Sequence, residues 1–254
     1  MKFRKFHGCG NSFLVLSEDP QGLSLEVRRS LCSPHYGLGA DGIVAIRLTE
    51  GAPEIDFEMF YWNADGALGS FCGNGARLAL WLAYEATGKK YFRFLASDGY
   101  HEGWILGEEP IWIGVTLELR RAPQVRSEGG YWVDTGSPHL LLPVSTYESL
   151  RELPLEAMAR PLRQETTCDP KGVNVSFYAP YREGYALRTY ERGVEAETQS
   201  CGTAAVALAA LSNAEQITLY PPGGCLKVTR LSDSSFRLEG PLVEIAQGVF
   251  LGFS

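Results

Sequence analysis

"FCGNGARLAL" (71–80) and "SCGTAAVALA" (200–209) are the two stretches on which the fold turns. Each opens on a Cys-Gly pair and runs into alanine and leucine with little charge. Helices that are apolar on nearly every face are enclosed by other elements rather than laid on a surface. Two such helices are expected, over 72–87 and 201–213, with Gly88 as the left-handed residue that ends the first. The rest of the chain reads mostly as strand. β-branched and aromatic runs at 2–6, 12–16, 43–48, 55–62, 91–96 and 111–119 precede a second series at 131–135, 139–144, 173–179, 185–191, 216–220, 226–231, 236–240 and 249–253. Short helices are expected after Ser24, stopped by Pro34, and over 146–152. The pattern is therefore two β-rich halves, each with one enclosed helix, and a boundary near "RRAPQ" (120–124).

Composition narrows the function. The chain has 254 residues, 45% of them apolar, and a net charge of −7. That balance suits a globular protein and gives no basic patch for nucleic acid or an anionic membrane. The N-terminal "MKFRKFHGCGNSFLVL" is basic and then apolar, but Gly8, Gly10 and Asn11 interrupt it too early for a signal peptide. No run is long enough for a membrane span, so the cytoplasm is the default location. Cys9, Cys32, Cys72, Cys168, Cys201 and Cys225 are scattered with no C-x-x-C, and His7 and His139 lack metal-ligand spacing. No metal is expected.

A helix start presents backbone N–H groups without intrahelical partners and a partial positive charge. It suits a carboxylate, and glycine after the first residue allows close approach. A cysteine there feels the same field, which favours the thiolate. If the two helix starts face each other, two thiols flank the α-carbon of one bound amino acid. A thiolate removes the α-proton on one face, the opposite thiol returns a proton on the other, and the centre inverts. Neither pyridoxal phosphate nor another cofactor is required.

The segments "FHGCGNSF", "GLGADG", "FYWNADGALGSFCGNGAR", "DTGSPH", "GVNVSF", "YERGVEAETQSCGTA" and "PPGGCLKV" together resemble the diaminopimelate epimerase family, in the family's order and over the whole chain. The resemblance implies an α/β (α+β) fold of two pseudo-symmetric halves, each a curved, mainly antiparallel sheet around a central helix. Its halves would be 1–122 and 123–247, with 248–254 returning to the first. It implies a cofactor-independent isomerase that converts LL- to meso-diaminopimelate, a lysine and peptidoglycan precursor. Cys72 and Cys201 would be the acid/base pair, with His139 and Glu191 tuning their pKa values. Asn11, Asn63, Gly73, Asn74, Ser137, Asn174, Glu191, Arg192, Gly202 and Thr203 would bind substrate, Arg192 by gripping a distal carboxylate. A homodimer stays open.

Three positions depart from the family's pattern. Ser12 replaces an Asp, Gly42 stands where a Gln often touches substrate, and Ser137 where an Asn often does. They leave room for a racemase of another amino acid on the same fold. A cysteine hydrolase built on Cys72, His139 and Asn174 is a rival of another class, but leaves Cys201-Gly202 unexplained. A non-catalytic module with two buried cysteines is a third.

Overall fold

The computed structural model describes residues 1–49, 54–126, 129–164 and 169–252, which leaves Cys168 outside. The chain divides into two compact units, Met1–Val115 with Gly240–Ser254, and Thr116–Glu239.

In the first unit β1 (Lys2–Gly8) and β2 (Asn11–Leu16) form a hairpin, with Cys9 at φ 51° and Gly10 at φ 81° making its turn. α1 (Leu25–Cys32) carries the chain over to β3 (Gly42–Leu48), which lies parallel to β2. Its N-cap is Ser24, whose side chain accepts the Val27 N–H. β3 and β4 (Phe57–Asn63) are antiparallel. α2 (Gly73–Thr87) then crosses to β5 (Tyr91–Ala96), parallel to β4, and β6 (Gly99–Glu108) and β7 (Ile111–Glu118) continue as a meander.

The second unit follows the same plan. β8 (Arg121–Val125) and β9 (Tyr131–Asp134) lead into β10 (Pro138–Pro143), antiparallel to β9. α3 (Tyr147–Glu152) and α4 (Leu155–Arg163) cross to β11 (Asn174–Tyr181), parallel to β10. β12 (Gly184–Glu191) closes a hairpin with β11, and β13 (Ala196–Thr198) folds back on it. α5 (Gly202–Ala210) crosses to β14 (Gln216–Tyr220), parallel to β12, and β15 (Leu226–Arg230) and β16 (Ser235–Pro241) complete the meander. Each unit thus runs hairpin, parallel crossover, hairpin, parallel crossover through an enclosed helix, meander. The repeat that the sequence shows only as two Cys-Gly pairs is plain in the strand pairing. The fold is α+β and mostly sheet, as the sequence implies.

Both enclosed helices are as apolar and buried as expected. On α2, Gly73 to Leu80 and Ala83 are buried, and Gly88 ends it at φ 72°. On α5, Gly202 and Ala204 to Ala209 are buried, and the helix stops at Ala210, short of the expected 213.

Four strands and a helix escape the sequence reading. β8 and β13 are short, and β6 holds Gly99, Gly103 and Gly107, which argue against strand locally. Gly103 has a tertiary reason: a Cβ there would overlap the side chain of Leu80 on α2. Gly103→Ala should therefore destabilise the protein by roughly 1–3 kcal/mol through overpacking. A urea midpoint equal to wild type would show that Leu80 does not press on this strand. α4 is hidden by Pro154 and Pro161, yet buries Leu155 and Ala159. The last strand, β17 (Val243–Val249), pairs antiparallel with β1 and lies earlier than the expected 249–253. Every residue of β17 is exposed, so it has no buried face; backbone pairing with β1 defines it.

Candidate active site

Cys72 is the N-cap of α2, in extended backbone, and its Sγ accepts the Gly75 N–H at 3.5 Å. Asn11, at the start of β2, brings its Oδ1 to 3.8 Å from the same sulfur. That oxygen also accepts from Asn74 Nδ2 at 3.3 Å. Asn74 Oδ1 in turn accepts from Arg77 Nη2 at 2.8 Å. Three expected site residues, Asn11, Cys72 and Asn74, therefore lie in one hydrogen-bonded chain whose far end is an arginine. Gly73, beside them, is the buried first residue of α2.

Asn63 ends β4 and opens the turn that leads towards Cys72. Its backbone carbonyl accepts the Gly66 N–H, and Asp65 Oδ1 accepts the Ala67 N–H. Gly66, at φ 83°, abuts the backbone of α1 at Leu25, so no other residue fits there. Two of the departures also find their causes here. Gly42 faces Asn63 in register, and a Cβ at Gly42 would lie 2.5 Å from the Trp62 carbonyl and from the Tyr61 ring. No side chain, glutamine included, fits at this point. Ser12 donates from both its N–H and its hydroxyl to Asp41 Oδ2, at 2.7 and 3.1 Å. An aspartate at position 12 would set two carboxylates against each other.

In the second unit Cys201 is the N-cap of α5 and is buried. Its sulfur lies 3.3 Å from Thr203 Oγ1. Burial first, and then the charge of Glu191, push the Cys201 thiol well above its ordinary pKa, against the Thr203 and Ala204 donors that favour ionisation. Glu191 Oε1 also accepts from Thr198 Oγ1 at 2.9 Å. Gly202 admits Leu238 of β16, whose Cδ2 would lie 2.7 Å from a Cβ at that position.

Asn174, at the start of β11, joins two further expected residues. Its Nδ2 donates to Ser137 Oγ at 2.7 Å and to the Pro138 carbonyl at 3.1 Å, and its Oδ1 accepts the Arg192 N–H at 2.8 Å. Thr135 Oγ1 donates to the Thr203 and Ser137 carbonyls, which ties the start of α5 to the turn before β10. The Arg192 guanidinium donates to the Gly172 carbonyl at 3.0 Å and lies 3.2 Å from Asp169, so one carboxylate already holds it.

His139 is opposite Asn174 in the parallel pairing of β10 and β11 and is fully buried. Neither ring nitrogen has a hydrogen-bond partner among the described residues. Burial, and secondarily the Arg192 charge, lower its pKa from 6.5 to about 3. The ring is neutral at working pH. The asparagine that would orient it in a cysteine hydrolase spends both ends of its amide elsewhere, which removes the support for that rival.

Sequence reasoning passes over Thr135, Thr198 and Arg77. The two threonines carry no local signal. Arg77 carries one: it is the sole charged residue between Cys72 and Tyr84, within the buried first half of α2.

The model of the family described as "Diaminopimelate epimerase" matches residues 3–102 and 131–234. The chain is 38% identical over 217 residues to the diaminopimelate epimerase of Chlorobaculum tepidum, covering 81% of this chain and 80% of that one. It is 32% identical to the diaminopimelate epimerase of a Hydrogenobaculum species, with 98% of each covered. Among solved structures, a Bacillus anthracis phenazine biosynthesis protein of the PhzF family superposes with a TM-score of 0.69 at 14% identity, over 99% of this chain and 100% of that one. At that identity the likeness concerns the fold alone.

Proposed function

Since this chain belongs to the diaminopimelate epimerase family, we propose that it inverts one α-carbon of diaminopimelate, LL to meso, with Cys72 and Cys201 as its acid/base pair. The observation that carries the reading is that each cysteine caps an enclosed helix and is followed by a buried glycine. The helix starts offer main-chain donors to an α-carboxylate through Gly73, Asn74, Gly202 and Thr203. Those donors also stabilise the charge that builds on the carboxylate as the α-proton leaves. One sulfur accepts that proton as thiolate and the other delivers a proton to the opposite face as thiol. The balance is one proton taken and one returned, with no electron transferred.

The two ends of such a pair need opposite resting states. Burial and Glu191 favour the protonated form at Cys201, which supports Glu191 as a pKa-tuning group. Asn11, Asn63, Ser137, Asn174 and Arg192 are the side chains assigned to the remainder of the substrate. Arg192 would release or share Asp169 to take a distal carboxylate. His139, held neutral, serves as a polar neighbour rather than a charged one.

The test is α-hydrogen exchange in heavy water over a panel of amino acids with and without a distal carboxylate, each followed by chiral separation. Diaminopimelate should exchange and equilibrate between LL and meso forms, and the other panel members should exchange at least about tenfold more slowly. Faster exchange of proline or glutamate would instead identify a racemase on the same fold. No exchange of any amino acid by the folded protein would remove the two-thiol reading.

A further inference from the structure

Arg77 is the largest fully buried side chain among the described residues. Among the described residues its Nε and Nη1 have no hydrogen-bond partner, and its Nη2 donates to Asn74 Oδ1. Burial pulls its pKa down, yet a guanidinium starts from so high a value that it keeps its charge. A buried cation without a countercharge is strongly unfavourable. Among the described residues no carboxylate pairs with it, and the groups that favour its charge are the thiols of Cys9 and Cys72. The fold also makes room for it. Gly8 at the end of β1 lacks the Cβ that would lie 2.7 Å from Arg77 Nη2.

We propose that Arg77 is a positioning residue of the reaction: its buried charge on α2, the helix that Cys72 caps, keeps Cys72 as the resting thiolate and hence as the base, while its bond to Asn74 fixes the amide that holds Asn11. The inference rests on the two-thiol reading and assigns its polarity. Cys72 has a buried cation behind it and the Gly75 N–H at its sulfur, while Cys201 has Glu191. The approach of Asn11 Oδ1 favours the proton at Cys72. At 3.8 Å, to an oxygen that already accepts from Asn74, it is the weaker influence. On the strands packed against α2, Arg4 binds Glu85 and Glu244, Arg47 binds Glu58, and His101 binds Asp98. Those strands also carry Lys2, which is exposed, Lys5, which donates to the Leu38 carbonyl, Glu102, which accepts from Tyr91, and Glu108, which pairs with Lys90. On the β1–β2 hairpin, His7 Nδ1 accepts the Gly10 N–H.

The test follows iodoacetamide alkylation of Cys72 and Cys201 separately, by peptide mass spectrometry, across pH in the intact protein. The midpoint, rather than the extent, reports ionisation, because Cys201 is the less accessible sulfur. In the wild type, Cys72 should ionise at least about one pH unit before Cys201. Arg77→Met should move the Cys72 midpoint up by about one unit or more and leave that of Cys201 in place, and Arg77→Lys should recover most of the shift. A folded Arg77→Met protein with an unmoved Cys72 midpoint would overturn the proposal. So would a wild type in which Cys201 ionises first, a measurement that needs no variant to fold. Failure of the two-thiol reading is separate, because it appears as absent α-hydrogen exchange whatever the order of alkylation.

Discussion

Cys72→Ser and Cys201→Ser should each lower epimerisation by about a thousandfold, within the range that a positioned acid or base contributes. A hydroxyl is a far weaker acid than a thiol of pKa ~8.5, so serine neither ionises as the base nor yields its proton readily as the acid. The substitution is otherwise mild. Both positions are helix N-caps, and serine is a preferred N-cap residue, so folding should survive. Loss of turnover with an unchanged urea midpoint is thus the expected pair of results. The double variant should be little worse than either single one, because two groups that act as a unit are not additive. A folded single variant that kept a tenth or more of wild-type turnover would mean that the sulfur in question does not move the proton.

The second large effect concerns stability in acid and belongs to His139. Its pKa is about 3 in the fold, lowered from 6.5 chiefly by burial. Between those two values the unfolded chain binds a proton that the folded chain refuses. Stability is therefore present above pH 6.5 and is lost progressively as pH falls towards 3. At about 1.4 kcal/mol per unit, the cost between pH 6.5 and pH 4.5 is roughly 2–3 kcal/mol from this one ring. His139→Leu fills a similar volume and does not titrate. It should be less stable than, or level with, wild type at pH 7, and gain on it by that amount at pH 4.5. Urea midpoints at the two pH values measure the difference. Parallel losses in the two proteins would place the proton on some other group.

The two enclosed helices were legible because their signal is local. Apolar residues on every face and a Cys-Gly start need no knowledge of the rest of the chain. The Gly88 end and the Ser24 cap were legible for the same reason. β6 and β17 were not. Gly103 looks like a strand breaker until Leu80 is seen occupying its side-chain space, and β17 has no buried face. At Gly42 the sequence shows only a missing side chain, whereas Tyr61 and the Trp62 carbonyl close the position to any side chain.

By itself, the sequence determined that two cysteines cap two enclosed helices in a chain of the diaminopimelate epimerase family, since helix periodicity, capping and family motifs are all written in neighbouring residues. Which charges stand beside each sulfur was decided only by tertiary structure. Glu191 reaches Cys201 from β12, Asn11 reaches Cys72 from β2, and the room for Arg77 comes from Gly8 on β1. Protonation depends on burial and on charge across space, and strand pairing over tens to hundreds of residues sets both.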